Sequence, residues 1–307
     1  MIFRSACVAV RPGLSSGEEK ILYSAGASSR GWHRLQLAAE CLQKYAWTYK
    51  VPTAEGAAPR HSSKSPALVK GTLIHLALAQ HYARMRSEQA GTPQDEWCEP
   101  EESVRLIAKL EDATQFAEDV IYTYQQYCRE YPYEEEVQTM KILGVEELFS
   151  TTIRGRYLYT GRMDLLYEDL GGRVYLADHK STGRLTASHK EYFAISGQLM
   201  GYAHLARQVY GDRLSGVKVN LVQHGAPKFE RITLSRSPFL ESKFEQIVVD
   251  IEEAIERMEA TGRDFDDWPK ASNELSCFGR YGACQFIDQC RFGVGAKKAG
   301  NWTWKDL

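Results

Sequence analysis

The 307-residue chain has no apolar run approaching the roughly 18 residues that span a bilayer, and the interval between Arg4 and Arg11 is too short for a signal-peptide core. A soluble, cytoplasmic protein without a membrane partner is therefore expected. Neither charge is in excess: 38 Lys and Arg face 40 Asp and Glu, a net charge of -2, so any contact with nucleic-acid phosphate must be local. Internal repeats and low-complexity tracts are missing, which argues against a solenoid, and the Ala-, Pro-, Ser- and Gly-rich segment 51–66 reads as a connecting loop. No phosphate-cradling glycine loop of a motor ATPase occurs, so the chain carries no helicase motor of its own. Its seven cysteines are an odd number and cannot all pair as internal disulfides. No two of them are separated by the roughly two to four residues typical of paired zinc ligands.

What is present is an ordinary globular composition, 43% apolar and 25% charged, enough to bury a core unaided. Hydrophobic periodicity predicts helices over 33–50, 68–86 and 101–130. β-branched and aromatic enrichment then predicts strands over 141–153, 156–168 and 173–182, the last two joined by the turn Asp169-Leu170-Gly171-Gly172. A helix over 189–210, two strands around Gly225-Ala226-Pro227, an amphipathic helix over 238–261 and an irregular, Cys-bearing tail follow. This order implies an α/β (α+β) fold with a mixed central β-sheet flanked by helices. It reads as one elaborated domain over 1–307. A mainly helical part over 28–140 holds Cys41 and His75, a sheet core covers 141–235, and a C-terminal helix and tail cover 236–307.

Centring the hairpin near Gly171 places Asp164 opposite Asp178. Directly opposed Cβ atoms lie about 4.5–5.5 Å apart, so the two carboxylates repel unless a proton or cation lies between them, and a divalent metal is the natural remedy. Alternation puts Lys180 on the face of Asp178. Two hard oxygen ligands and an ammonium at one spot suit phosphodiester hydrolysis, in which a metal activates water while the lysine orients the nucleophile or offsets developing charge. The competing reading is a strand's solvated face, and a register slip of one residue would remove the cluster.

GRMDLLYE followed by YLADHKST resembles the G-x-x-D and D-x-K core of the PD-(D/E)xK nucleases, RecB-like branch. Upstream, LVKGTLIHLALAQHY is similar to that branch's G-x-x-x-H helix, which implies His75 as a metal ligand. Downstream, GQLMGYAHL is similar to its Q-x-x-x-Y motif, with Gln198 and Tyr202. These two are i and i+4 on one helix, so both can reach the same phosphate or position Lys180. Glu146, in GVEELFS, resembles the carboxylate this family often places near the metal. Glu147 beside it points the other way, and the pattern leaves open which of the two faces inward. The resemblance thus implies a restriction-endonuclease-like core, Mg2+ or Mn2+ held by His75, Asp164, Asp178 and Glu146, and catalytic roles for Lys180, Asp164, Asp178, Gln198 and Tyr202.

The tail segment CFGRYGACQFIDQC holds Cys277, Cys284 and Cys290, and the first helix supplies Cys41. Four thiolates bind either a 4Fe-4S cluster or a tetrahedral zinc, and the lack of a closely spaced pair favours the cluster. The AddB-type and CRISPR-adaptation nucleases, which this chain resembles, carry one distant N-terminal Cys and three C-terminal ones around such a cluster. They commonly place a Cys three residues before the position of Cys284, where Tyr281 stands here, so Cys277 has to substitute. Cys7, Cys98 and Cys128 fit no ligand spacing and read as structural.

These readings point to a metal-dependent DNA nuclease, an exonuclease on single-stranded DNA ends in recombination, repair or phage DNA metabolism. Arg30, Arg34, Lys44, Arg184, His189 and Lys190 are candidate phosphate contacts, and Tyr45, Trp47 and Tyr192 are candidate stacking aromatics. One alternative is a noncatalytic iron-sulfur DNA-binding or recruitment module of a recombination or CRISPR adaptation complex, whose factors would be its protein partners. The intact set of Asp164, Asp178 and Lys180 argues against it. Another is a zinc-stapled nuclease, which metal analysis separates from the first.

Overall fold

Asp169 builds the turn at the middle of the sheet: its Oδ1 accepts the Gly171 and Arg173 backbone N–H groups at 2.9 and 3.0 Å, and Gly172 takes a left-handed conformation (φ 76°). The computed structural model describes residues 3–6, 30–50, 65–92, 97–234, 238–271, 273–279 and 282–293. Strands β1 (Phe3–Ala6), β2 (Met140–Ile153), β3 (Tyr157–Asp169), β4 (Val174–Thr182), β5 (Leu214–Gln223) and β6 (Lys228–Leu234) lie side by side in chain order in one sheet. All neighbours are antiparallel except β4 and β5, which are parallel. A parallel pair needs a crossover connection, and here it carries helices α7 (His189–Ala194) and α8 (Gly197–Tyr210).

Ahead of the sheet come α3 (Pro66–Ala90), α4 (Pro100–Leu110), α5 (Ala117–Glu130) and α6 (Tyr133–Thr139). Ser65 caps α3 by accepting the Leu68 N–H, Pro66 opens it, and left-handed Gly91 closes it. Leu73, Ala77 and Tyr82 of α3, Val104 and Ile107 of α4, and Val120 and Ile121 of α5 bury against Val145, Leu165, Ala177 and Val222 of the sheet. At about 25 cal/mol per Å² of apolar surface, this burial rather than helix propensity secures the helices.

The described residues fall into two compact units, one within Met1–Trp32 and Lys64–Glu245 and the other within His33–Ser63 and Gln246–Leu307. The sheet belongs to the first. The second draws on α1 (Trp32–Glu40), α2 (Leu42–Tyr49), α9 (Pro238–Ala260), α10 (Glu274–Cys277), the short strands β7 (Phe278–Gly279) and β8 (Gly282–Ala283), and α11 (Ile287–Phe292). Its core comprises Ala38, Tyr45, Ala46, Ile255 and Trp268, and the buried Arg34 guanidinium donates to both Glu252 oxygens at 3.0 and 2.6 Å. No described helix is long and apolar enough to cross a membrane.

The mixed, helix-flanked sheet matches the expectation, and three long predicted helices are each found in two pieces. The stretch over 33–50 breaks at Cys41, whose backbone is extended (φ -165°) and whose sulfur accepts the Lys44 N–H. That over 101–130 ends at left-handed Asp112 and resumes at α5. That over 189–210 breaks at Ser196, which caps α8 by accepting the Leu199 N–H. Cys41 and Ser196 offer the backbone a side-chain alternative to the helical hydrogen bond and Asp112 turns left-handed, and periodicity registers neither. Strand β1 and helix α6 lie outside the sequence expectations altogether.

Candidate active site

The β3–β4 register runs as the turn dictates, from Glu168 opposite Val174 to Leu165 opposite Ala177. There the backbone ladder stops. At the next step Asp164 and Asp178 would be opposed, and the Oδ2 of Asp164 instead accepts the backbone N–H of His179 at 2.7 Å. A side chain takes over the ladder where the strands part.

On the other side of β3, the β2 pairing flanks the same point: Val145 opposes Leu165 and Glu147 opposes Met163, leaving Glu146 beside Asp164. Glu146 has φ 50°, a left-handed backbone that costs a non-glycine residue about 1–2 kcal/mol. The faces of the strands exchange here. Val145 and Leu165 pack with α3–α5, whereas Thr151 bonds Gln208 of α8, and Gly161 lies so close to Tyr202 and Leu205 of α8 that a Cβ there would sit 2.8–3.0 Å from them. Strict alternation would put all four on one face. The turn-over directs Glu146 to the site, and Glu147 instead lies 3.8 Å from Arg86 of α3.

Helix α3 brings His75. At Gly71, one turn earlier, a Cβ would lie 2.7 Å from the Ser181 hydroxyl, so glycine lets the helix approach β4 beside Lys180. His75 Nδ1 then stands 3.4 Å from Asp164 Oδ2. Ligand atoms of His75, Glu146 and Asp164 all lie within 4.8 Å of one another, the one such group of His, Cys, Asp or Glu among the described residues. An imidazole nitrogen and two carboxylates suit a hard divalent ion such as Mg2+ or Mn2+. Asp178 is not in this group. Its Oδ2 lies 2.7 Å from Lys180 Nζ, which also donates to Gln198 Oε1 at 3.0 Å, and Gln198 Nε2 donates to the Tyr202 hydroxyl at 3.0 Å.

The electrostatics follow from burial and crowding. Burial, then the Asp164 charge, push the Glu146 carboxyl well above its usual range, while Arg162 opposes them. Asp164 is also raised, by burial and by Asp178, against the pull of His75, Lys180 and the His179 N–H. Burial works against a charged Lys180, yet Asp178 and Asp164 raise it overall, so it stays an ammonium. Two raised acids flanking an imidazole are what a cation would relieve.

Two residues of this site escaped the sequence reading. Arg162 carries a buried Nη1 with no hydrogen-bond partner among the described residues, and its charge acts on Glu146. Its place two residues before Asp164 on one strand was the available signal. His179 is buried, with Tyr82 of α3 stacked on it at 5.7 Å and Asn220 at 2.9 Å from its Nδ1. Burial pushes its pKa well below the usual imidazole value and holds it neutral.

Other expectations need correction. Arg34 is committed to its buried pair with Glu252 and His189 is buried, so neither faces a phosphate. Tyr45 and Trp47 are buried in the second unit, Trp47 donating its Nε1–H to Asp266 at 2.7 Å, so neither offers an open ring face. Among those three aromatics Tyr192 alone is exposed, at 57%.

In the second unit, Cys41, Cys277, Cys284 and Cys290 are free thiols. The Cys284 N–H donates to the Cys277 carbonyl at 2.7 Å. Burial pushes the Cys290 thiol up; Lys270 pulls it down, and Cys284, Cys41 and Cys277 raise it, so all three stand within electrostatic reach of it. No three of the sulfurs lie within 4.8 Å of one another. Cys98 and Cys128 sit in the first unit near Gln80 and His81, while Cys7 and Tyr281 fall outside the described residues.

The family model described as the PD-(D/E)XK nuclease superfamily matches residues 32–291. Among solved structures, an exonuclease candidate from Eubacterium rectale is similar over 95% of each chain, at 13% identity and a TM-score of 0.47. The protein SSO0001 is similar over 59% of this chain and 74% of its own, at 10% identity and a TM-score of 0.29. No curated protein matches the sequence.

Proposed function

The chain belongs to the PD-(D/E)XK nuclease superfamily, and from that premise we propose a metal-dependent deoxyribonuclease of the RecB-like branch, an exonuclease hydrolysing phosphodiester bonds at single-stranded DNA ends. The observation that carries this reading is the convergence of His75, Glu146 and Asp164 beside a lysine held between Asp178 and Gln198. His75, Glu146 and Asp164 would hold Mg2+ or Mn2+, with Asp178 adjoining. When bound, the ion supplies a water of lowered pKa and charge stabilisation on the phosphate. Lys180 offsets the negative charge that develops on the phosphoryl oxygens, and Asp178 and Gln198 aim its ammonium. Tyr202, bonded to Gln198, fixes the amide's orientation, so the lysine is placed before substrate arrives. His179 and Asn220 keep β4 seated and act through the lysine's strand rather than on substrate.

Cys41, Cys277, Cys284 and Cys290 would hold a 4Fe-4S cluster that staples the first helices to the tail of the second unit, with no direct part in hydrolysis. A noncatalytic recruitment module of a recombination or CRISPR adaptation complex is disfavoured, because such a module would have no use for two raised carboxylates and an aimed ammonium. The test is digestion of linear and circular single strands, labelled at either end, with magnesium or manganese. Degradation of linear strands with circles resistant is expected, and equal initial rates on both would reassign the enzyme as an endonuclease.

A further inference from the structure

The chain leaves the catalytic cluster at Lys180 and returns to it at Gln198, and the 3.0 Å bond between those side chains closes the connection into a loop whose two ends meet at the site. Most of this connection is firmly built. Gln223 Oε1 accepts the Leu185 N–H at 2.8 Å, and buried His189 accepts the Thr186 N–H through Nδ1 at 3.0 Å. The His189 ring stacks on buried Phe193 at 6.1 Å and 13°, and α7 is thereby pinned at both ends. Yet two large apolar side chains on it face solvent, Tyr192 at 57% and Ile195 at 72% exposure.

A single exposed apolar residue needs no explanation, but two at i and i+3 on an anchored turn form a patch whose upkeep has no structural return. The Tyr192 ring stands nearly perpendicular to that of Phe193 at 5.1 Å and 81° and is 57% exposed, so it is braced while offering ring surface to solvent. Its hydroxyl is near enough to influence Lys180. Arg184 and Lys190, both exposed, lie on the same connection, together with the exposed acid Glu191, and supply positive charge that a nucleic-acid backbone seeks. A braced, exposed ring on a cation-bearing connection that begins and ends at the proposed phosphodiester site fits a flat, unpaired base attached to a phosphate. A paired base inside a duplex has both faces covered by its neighbours and cannot use it.

We propose that Tyr192, supported by Ile195, is a stacking platform for the base next to the scissile phosphate of single-stranded DNA, and so a specificity-determining element. The proposal deepens the nuclease reading and rests on it. Binding to the platform orders few new degrees of freedom, because the tyrosine has two side-chain torsions and its backbone is already fixed.

The test uses the full chain and single-stranded oligonucleotides carrying the fluorescent base 2-aminopurine, in EDTA for binding and in manganese for cleavage. Wild type and Tyr192→Phe should quench the fluorescence on binding, whereas Tyr192→Ala should not. In cleavage of linear single strands, Tyr192→Ala should raise KM by about 10-fold or more, with a smaller change in kcat. Ile195→Ser should show the same trend more weakly. Tyr192→Ala with wild-type quenching and wild-type KM overturns the platform. The two readings separate cleanly: Tyr192-dependent quenching without any metal-dependent cleavage keeps the platform and overturns the nuclease, while cleavage lost in Asp178→Ala but unaffected by Tyr192→Ala does the reverse.

Discussion

Asp164 Oδ2 accepts the backbone N–H of His179 at 2.7 Å, one residue past the last backbone pair of its hairpin, so a candidate metal ligand also bridges the gap between two strands. The two duties can be separated by substitution. Asp164→Asn keeps an oxygen that can accept the N–H and should fold with near wild-type stability. Asp164→Ala should lose about 1–3 kcal/mol, the cost of a buried donor left without a partner. Both should lose metal-dependent cleavage. Equal melting temperatures for the two variants would show that the bridge is not structural.

Glu146 is buried, left-handed and crowded by Asp164, so its ionised form is a liability in the metal-free protein. A carboxyl whose folded pKa is raised binds its proton more tightly when folded, and stability is lost as pH rises from about 4.3, the unfolded value, through the raised one. Glu146→Gln should therefore melt higher than wild type at pH 7 in EDTA, by about 2–4 °C per kcal/mol recovered, with the difference shrinking toward pH 4. Its metal affinity should fall at the same time. A pH-independent difference in melting temperature would remove the charge from the explanation.

Lys180 is held from two sides, by Asp178 and by Gln198. Lys180→Met should leave metal binding measurable by calorimetry and lower kcat by about 10²–10³-fold, since an ammonium is no ligand. Gln198→Ala should lower kcat by about 10- to 100-fold through misplacement of the lysine. Metal binding that disappears together with turnover in Lys180→Met would contradict the division of roles.

Protein purified without oxygen should be brown and contain iron and acid-labile sulfide, and Cys41→Ser and Cys290→Ser should each bleach it. Because Cys41 interrupts a helix and the tail's short elements have few buried residues, limited proteolysis should cut both segments faster in these variants. Stoichiometric zinc without iron would replace the cluster by a structural zinc site.

Much of this site was legible because local chemistry and topology agree. The Asp169–Gly172 turn fixed the register, and register brought Asp164 and Asp178 to the same step, just past the last backbone pair; helical spacing joined Gln198 to Tyr202. The rest depends on relations that periodicity does not carry. Glu146 could not be chosen over Glu147 from alternation, because its own left-handed backbone reverses the alternation at that point. Cys41, Asp112 and Ser196 break predicted helices through single residues whose pattern on either side remains helical. Tyr45 and Trp47 lie on a helix whose sequence does not show what covers it, and only the packing of Tyr45 on Trp268 and of Trp47 on Phe286 and Asp266 removes them from a ligand's reach.

The missing side chain at Gly71 acts well beyond its own neighbour. Helix α3 is a rod of 25 residues, about 37 Å long at 1.5 Å per residue, and a rod transmits displacement instead of absorbing it. A methyl group at Gly71 would fall 2.7 Å from the Ser181 hydroxyl, and unless that side chain turns away the helix lifts at that point, drawing His75 from Asp164 and Tyr82 from His179 in a single movement. The distance between imidazole and carboxylate is thus gauged by an absent carbon one turn away, and the spacing of glycine and histidine along the chain is a unit of length as much as a motif.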